Sequence, residues 1–125
     1  QAGEEYACRF IEEQGLEVLE RNWRDSNRGE LDILAREGNT AVVVEVRTRV
    51  GIGYGSALES IDTRKVLKLR RLAAQWARQR RLFSKLRIDI IALTVPRACG
   101  QELREGGTVD FFRYPPKIEW LRGIA

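Results

Sequence analysis

The stretch from Glu30 to Arg47 constrains the fold more than any other part of the chain. Two runs, Glu30-Leu31-Asp32-Ile33-Leu34-Ala35-Arg36 and Thr40-Ala41-Val42-Val43-Val44-Glu45-Val46-Arg47, flank Glu37-Gly38-Asn39. β-Branched residues in the second arm and a Gly-Asn pair at the bend are the signature of an antiparallel hairpin. If Gly38-Asn39 is a two-residue turn, Glu37 faces Thr40 and opposed residues have numbers that sum to 77. Asp32 is then expected opposite Glu45 and Glu30 opposite Arg47, and alternation sends all four side chains to one side of the sheet. Opposed side chains start about 5 Å apart at Cβ, so two carboxylates placed there repel unless a cation lies between them. The plain alternative is a set of solvent-facing charges, with Glu30 and Arg47 a cross-strand ion pair. One detail weighs against it. Glu45 interrupts a run apolar enough to be covered on both faces, and a covered carboxylate needs a partner or a metal.

The rest of the chain supplies elements to cover that hairpin. Tyr6, Ala7, Phe10 and Ile11 recur at helical spacing and predict a helix over Gly3–Gln14, with Glu4 and Glu5 near its positive end and Gly15 as the stop. Leu16–Trp23 reads as a strand ending in a polar loop, Arg24–Arg28. A glycine-rich stretch, Gly51-Ile52-Gly53-Tyr54-Gly55, reads as a mobile loop. After it Asp62 or Thr63 caps a long helix to about Arg81, whose stripe is Val66, Leu69, Leu72, Ala73, Trp76 and Ala77. Lys65, Lys68 and Arg71 lie off that stripe. Leu86–Val95 is a fourth strand ended by Pro96, and Arg97–Gly107 a loop. Val109–Tyr114 is a fifth strand, closed by Pro115-Pro116 before a short C-terminal turn or helix. The order predicts one α/β domain spanning residues 1–125, a mixed sheet with helices on its faces.

Composition narrows the chemistry. There is no His, so every imidazole mechanism is excluded, including Ser-His-Asp triads and His-ligated zinc. Cys8 and Cys99 form no CxxC, which argues against a disulfide framework or zinc site and leaves a reducing, cytoplasmic setting as the expectation. A metal held here would depend on Asp and Glu, which favours Mg²⁺ or Mn²⁺. No apolar run approaches the roughly 18 residues that span a bilayer, and the chain opens Gln1-Ala2-Gly3 with no signal-peptide pattern. The net charge of +4 hides an asymmetry: residues 1–62 hold seven basic and thirteen acidic side chains, whereas residues 63–87 hold ten basic and none acidic. An acidic half beside a basic segment suits a protein that holds a metal against a polyanion; a solvated basic helix is the plain alternative.

Gly3-Glu4-x-x-Ala7, Arg21-Asn22-Trp23-Arg24, Gly29-Glu30-Leu31-Asp32-Ile33, Val44-Glu45-Val46-Arg47-Thr48-Arg49, the Gly55 loop leading to Lys65, and Arg87-x-Asp89 occur in order over about residues 3–95. In these motifs the chain resembles the bacterial YraN-like family, related to archaeal Holliday-junction resolvases and the PD-(D/E)XK nuclease superfamily. The resemblance implies a restriction-endonuclease-like core in which Asp32, Glu45 and the carbonyl of Val46 hold Mg²⁺ or Mn²⁺, with Glu4 an accessory acid acting through water. It implies Lys65 on a phosphate and Gly29 at a point of close chain approach. Glu30 is either an outer acid or the partner of Arg47. The superfamily usually has Lys where this chain has Arg47; Arg stays charged, so its expected role is to stabilise developing charge rather than to act as a base. Lys68 and Arg71 are expected to bind nucleic acid with Lys65, and Tyr54 to touch substrate, while Trp76 belongs to the core and Arg87 with Asp89 to a structural pair. The implied activity is metal-dependent hydrolysis of DNA phosphodiesters, branched DNA included, by a homodimer. The alternative is a weak or inactive DNA-binding module of the same fold.

Overall fold

The computed structural model describes residues 2–26, 28–51, 62–81, 83–95 and 110–125. In chain order the elements are α1 (Ala2–Glu13), β1 (Glu17–Asp25), β2 (Gly29–Glu37), β3 (Thr40–Val50), α2 (Thr63–Arg80), β4 (Lys85–Val95) and β5 (Lys117–Leu121). The hairpin forms in the register its turn dictates: Glu37 pairs with Thr40, Arg36 with Ala41, and so on to Ile33 with Val44, with Gly38 at φ 60° in the bend. The strands join in one five-stranded sheet in the order β1-β2-β3-β4-β5. All neighbours are antiparallel except β3 and β4, which run parallel because α2 carries the chain across between them. This is an α/β fold with a mixed open sheet, consistent with a nuclease-like architecture.

Alternation along β3 divides the core between the two faces. Val42 and Val44 pack with Ile33, Ile91 and Leu93 beneath Ala7, Cys8 and Ile11 of α1. Ala41 and Val43 pack with Leu34 and Ile88 beneath Leu69, Leu72, Ala73 and Trp76 of α2. The central strands therefore read as nearly continuous apolar runs because both faces are covered. Asp62 caps α2, its Oδ1 accepting the Arg64 N–H at 2.9 Å, and Arg81 closes the helix in the left-handed conformation at φ 54°. Among the described residues no helix is long and apolar enough to cross a membrane.

Three expectations need correction. β1 continues through Arg24 to Asp25, where a loop is expected, because Arg24 and Asp25 pair with Glu30 and Gly29 of β2. The fifth strand is Lys117–Leu121 rather than Val109–Tyr114, and it replaces the expected C-terminal turn or helix. Asp110 explains the shift: its Oδ1 accepts the N–H groups of Phe112 and Arg113 at 3.0 and 3.2 Å, and its carbonyl accepts that of Tyr114, which folds the segment into a turn. Phe111 is buried against α1, and the chain becomes extended only after Pro115-Pro116. Val109, the Arg97–Gly107 loop and the glycine-rich segment beyond Gly51, Tyr54 included, lie outside the described residues.

Candidate functional site

Backbone pairing between β2 and β3 is registered up to Ile33 and Val44, and the next residues toward the sheet end are Asp32 and Glu45. Glu45 faces α2 like Val43, where it meets Lys65, whereas strict alternation does not carry through β2, since Leu31 and Leu34 both pack under α2. Asp32 Oδ2 accepts the Val46 N–H at 3.0 Å, so a side-chain oxygen engages β3 where the ladder gives out. The two carboxyl groups lie close enough for each to act on the ionisation of the other. Burial raises the pKa of Asp32, as does the charge of Glu30, against the opposing pull of the Val46 N–H, Lys65 and the Glu45 side chain. Burial also raises that of Glu45, reinforced by the charge of Asp32 and opposed by Lys65 and Arg47. Two carboxyl groups this close cannot both ionise without penalty, and a nearby cation lessens that penalty.

A cation already stands beside them. Lys65 Nζ lies 3.3 Å from Glu45 Oε1, and its side chain is 47% exposed against 11% for Glu45. Lys65 thus faces the acids from the first turn of α2. Arg47 is half-buried two residues beyond Glu45 in β3, near enough for its charge to act on that carboxylate.

Two further acids, Glu4 and Glu30, border the pair. Glu4, 6% exposed in the first turn of α1, has its pKa raised by burial and by the charge of Asp32. Asn22 lies in β1 between the pairs Arg21–Ile33 and Trp23–Leu31 with a left-handed φ of 53°. With its amide nitrogen turned toward the acids, it donates to Glu30 Oε1 at 3.0 Å and to Glu4 Oε1 at 3.1 Å. The other oxygen of Glu30 accepts from Arg24 Nε at 3.1 Å, the residue paired with it across β1 and β2. Hairpin reasoning alone, which sets Glu30 against Arg47, does not see either partner. Asn22 is the participant that sequence reading missed. Its signal was a left-handed backbone in a strand, and nothing in the local sequence announces that.

Beside the acids runs a basic groove. One cleft of about 370 Å³ is lined by Glu30, Glu45, Arg64, Lys65, Lys68, Leu69 and Leu72. A second, about 560 Å³, is lined by Arg28, Lys68, Arg71, Leu72 and Gln75. Lys68 and Leu72 border both, so the three predicted basic residues Lys65, Lys68 and Arg71 line one path that leads away from Glu45. α2 lies low over the sheet here because β2 begins with Gly29 at φ 147°. A Cβ at that position would come within 2.8 Å of Leu72 Cδ1 and 3.0 Å of Lys68 Cε. The expected close approach is real, and its partner is this helix.

Among the described residues no three His, Cys, Asp or Glu side chains form a group that would hold a metal by themselves. The site offers two hard oxygen donors that already attract an ammonium group. That set fits a divalent ion such as Mg²⁺, which commonly takes one or two carboxylates and fills its shell with water and phosphate oxygens. Trp76 is 1% exposed and belongs to the core as expected, with its Nε1 donating to Glu20 at 2.8 Å.

Comparison with known proteins is consistent throughout. Residues 3–93 match the family described as Uncharacterised protein family UPF0102. The chain is 37% identical to a UPF0102 protein of Paenarthrobacter aurescens over 125 residues, covering 99% of this chain and 90% of the relative. Over 94 residues it is 43% identical to one from Rhodococcus opacus, covering 74% and 79% of the two chains. Over 97 residues it is 45% identical to one from Beutenbergia cavernae, covering 77% and 81%.

Proposed function

The chain belongs to the uncharacterised protein family UPF0102, and we propose that it is a metal-dependent endonuclease acting on DNA, related to the PD-(D/E)XK superfamily. One observation carries the reading: the Asp32 and Glu45 carboxyl groups lie close enough to shift each other's ionisation, at the mouth of a groove lined by Lys65, Lys68 and Arg71. A buried acid pair is a costly feature for a merely structural sheet, and a polyanion is the natural occupant of the groove beside it.

In this reading Asp32, Glu45 and the Val46 carbonyl hold Mg²⁺ or Mn²⁺. When bound, the ion supplies Lewis acidity at a phosphate oxygen and lowers the pKa of water. The chain does the rest. The Val46 N–H fixes the Asp32 carboxylate, so one of its oxygens is aimed and does not wander. Arg47, charged at any physiological pH, stabilises negative charge developing on the attacked phosphate and takes no proton. Glu4, tied to Asn22, orients water at the back of the site. Lys68 and Arg71 seat phosphates further along the strand, and Tyr54 meets the substrate. Branched DNA as substrate and a homodimer as the working form follow from the likeness to junction resolvases.

Labelled linear, nicked and four-way DNA in Mg²⁺ or Mn²⁺ tests this. Wild type is expected to cut at least one of them, and Asp32→Asn or Glu45→Gln to lower the rate by about 100-fold or more. Cleavage unchanged in both variants overturns the assignment. Arg47 in the usual place of Lys favours one other reading, a DNA-binding module that does not turn over. That reading predicts binding without cleavage in wild type, and cleavage created by Arg47→Lys.

A further inference from the structure

Lys65 occupies an odd position for a residue meant to grip phosphate. Its Nζ is 3.3 Å from Glu45 Oε1, inside the site and not out along the groove. It is also the third residue of α2, where the helix dipole disfavours a positive charge, and the one acid at that helix end, Asp62, is taken up in capping the Arg64 N–H. The acid pair is what holds the ammonium group there. The two partners differ in freedom: the Glu45 side chain is 11% exposed and belongs to a central strand, whereas that of Lys65 is 47% exposed on a four-carbon stem. If one moves, it is the lysine.

We propose that Lys65 is a displaceable counter-cation: it neutralises the Asp32–Glu45 pair in the metal-free protein, yields that place to the arriving divalent ion, and swings to a phosphate of the bound nucleic acid. This rests on the metal-dependent reading above and adds a sequence of events to it. The ion and the ammonium group cannot share Glu45 Oε1 without strong repulsion. The cleft of about 370 Å³ that Lys65 borders with Lys68 and Arg64 gives it somewhere to go. In free protein that space offers water, the like charges of Arg64 and Lys68, and Glu30, whose oxygens are already engaged by Arg24 and Asn22, so displacement opposes metal binding. With DNA present, a phosphate receives the released ammonium group, so DNA and metal strengthen each other's binding. An idle site thus holds metal more weakly than one with a substrate backbone seated.

Calorimetric titration of Mn²⁺ into wild type, Lys65→Met and Asp32→Asn without nucleic acid decides the matter. Lys65→Met is expected to bind Mn²⁺ about tenfold more tightly than wild type, since a neighbouring charge has been removed. Equal or weaker binding by Lys65→Met, while Asp32→Asn abolishes binding, overturns the displacement and leaves the metal site standing. No binding by any of the three proteins overturns both. A measurement on wild type guards against a variant that fails to fold. Acylation of the Lys65 amine, followed by mass spectrometry, is expected to speed up several-fold on adding Mn²⁺, and an unchanged rate overturns the proposal.

Discussion

Two buried carboxylate sites lie on the same sheet and could hardly be finished more differently. Asp89 is 0% exposed, and each of its oxygens has two donors. Oδ1 accepts from Arg87 Nε at 2.9 Å and the Gly123 N–H at 2.8 Å, and Oδ2 from Arg87 Nη2 at 3.1 Å and Trp120 Nε1 at 3.0 Å. Arg87 reaches on to Glu37 at 2.8 Å and holds that carboxyl below its ordinary range. At the other site Asp32 and Glu45 stand beside each other with the Val46 N–H, the exposed ammonium group of Lys65 and the charge of Arg47. A carboxylate whose lone pairs are all spoken for can only hold the fold together. Two acids held side by side, with an exposed ammonium group among their partners, retain capacity to bind something else, and the protein bears the cost of it.

The largest effect should come from breaking the finished site. Asp89→Ala leaves Arg87 without its main partner inside the protein, and urea unfolding should show a loss of about 3–5 kcal/mol that added Mg²⁺ does not restore. A loss under about 1 kcal/mol would erase the contrast between the sites. The unfinished site should respond in the opposite direction. Asp32→Asn keeps an oxygen for the Val46 N–H and removes a charge, so metal-free protein at neutral pH should gain about 1 kcal/mol by the same assay.

The pH dependence carries the same sign. Asp32 and Glu45 have folded pKa values above their ordinary 3.8 and 4.5, so what they add to stability is complete below those values and is lost as pH rises through the raised ones. Glu37 runs the other way: its contribution is present above 4.5 and fades as pH falls through its lowered value. Unfolding free energies of wild type minus Asp32→Asn should therefore fall with rising pH across the range above 3.8, and a flat difference would contradict the raised values. The smallest effect should be at Lys68. Replacing it with Ala should change stability by less than about 0.5 kcal/mol, yet reduce the salt dependence of DNA binding by about one unit of slope.

What was legible in the sequence was what short-range rules govern. The Gly38-Asn39 turn set the register as far as Ile33 and Val44, the residues next to Asp32 and Glu45, because a two-residue bend leaves little freedom to slip. The stripe of α2 was legible because Trp76 and its neighbours repeat every turn. Long-range partners were not. Glu30 finds Arg24 and Asn22 on β1, a strand whose pairing with β2 follows from packing and not from any local motif. Lys65 reads as a helix-surface charge until the crossover brings α2 over β3. The last strand was misplaced because Val109–Tyr114 has strand-like residues, while Asp110 has the side chain that turns them aside.

Gly29 has a further consequence for this arrangement. Any larger residue there would meet Leu72 and Lys68 at once, in a backbone conformation that L residues rarely adopt. Such a residue would push aside the ends of Leu72 and Lys68, and with Lys68 one of the ammonium groups that line the groove beside the acids. Under the proposed function, the seating of a strand next to the acid pair thus depends on one missing side chain, at a residue that need never touch either.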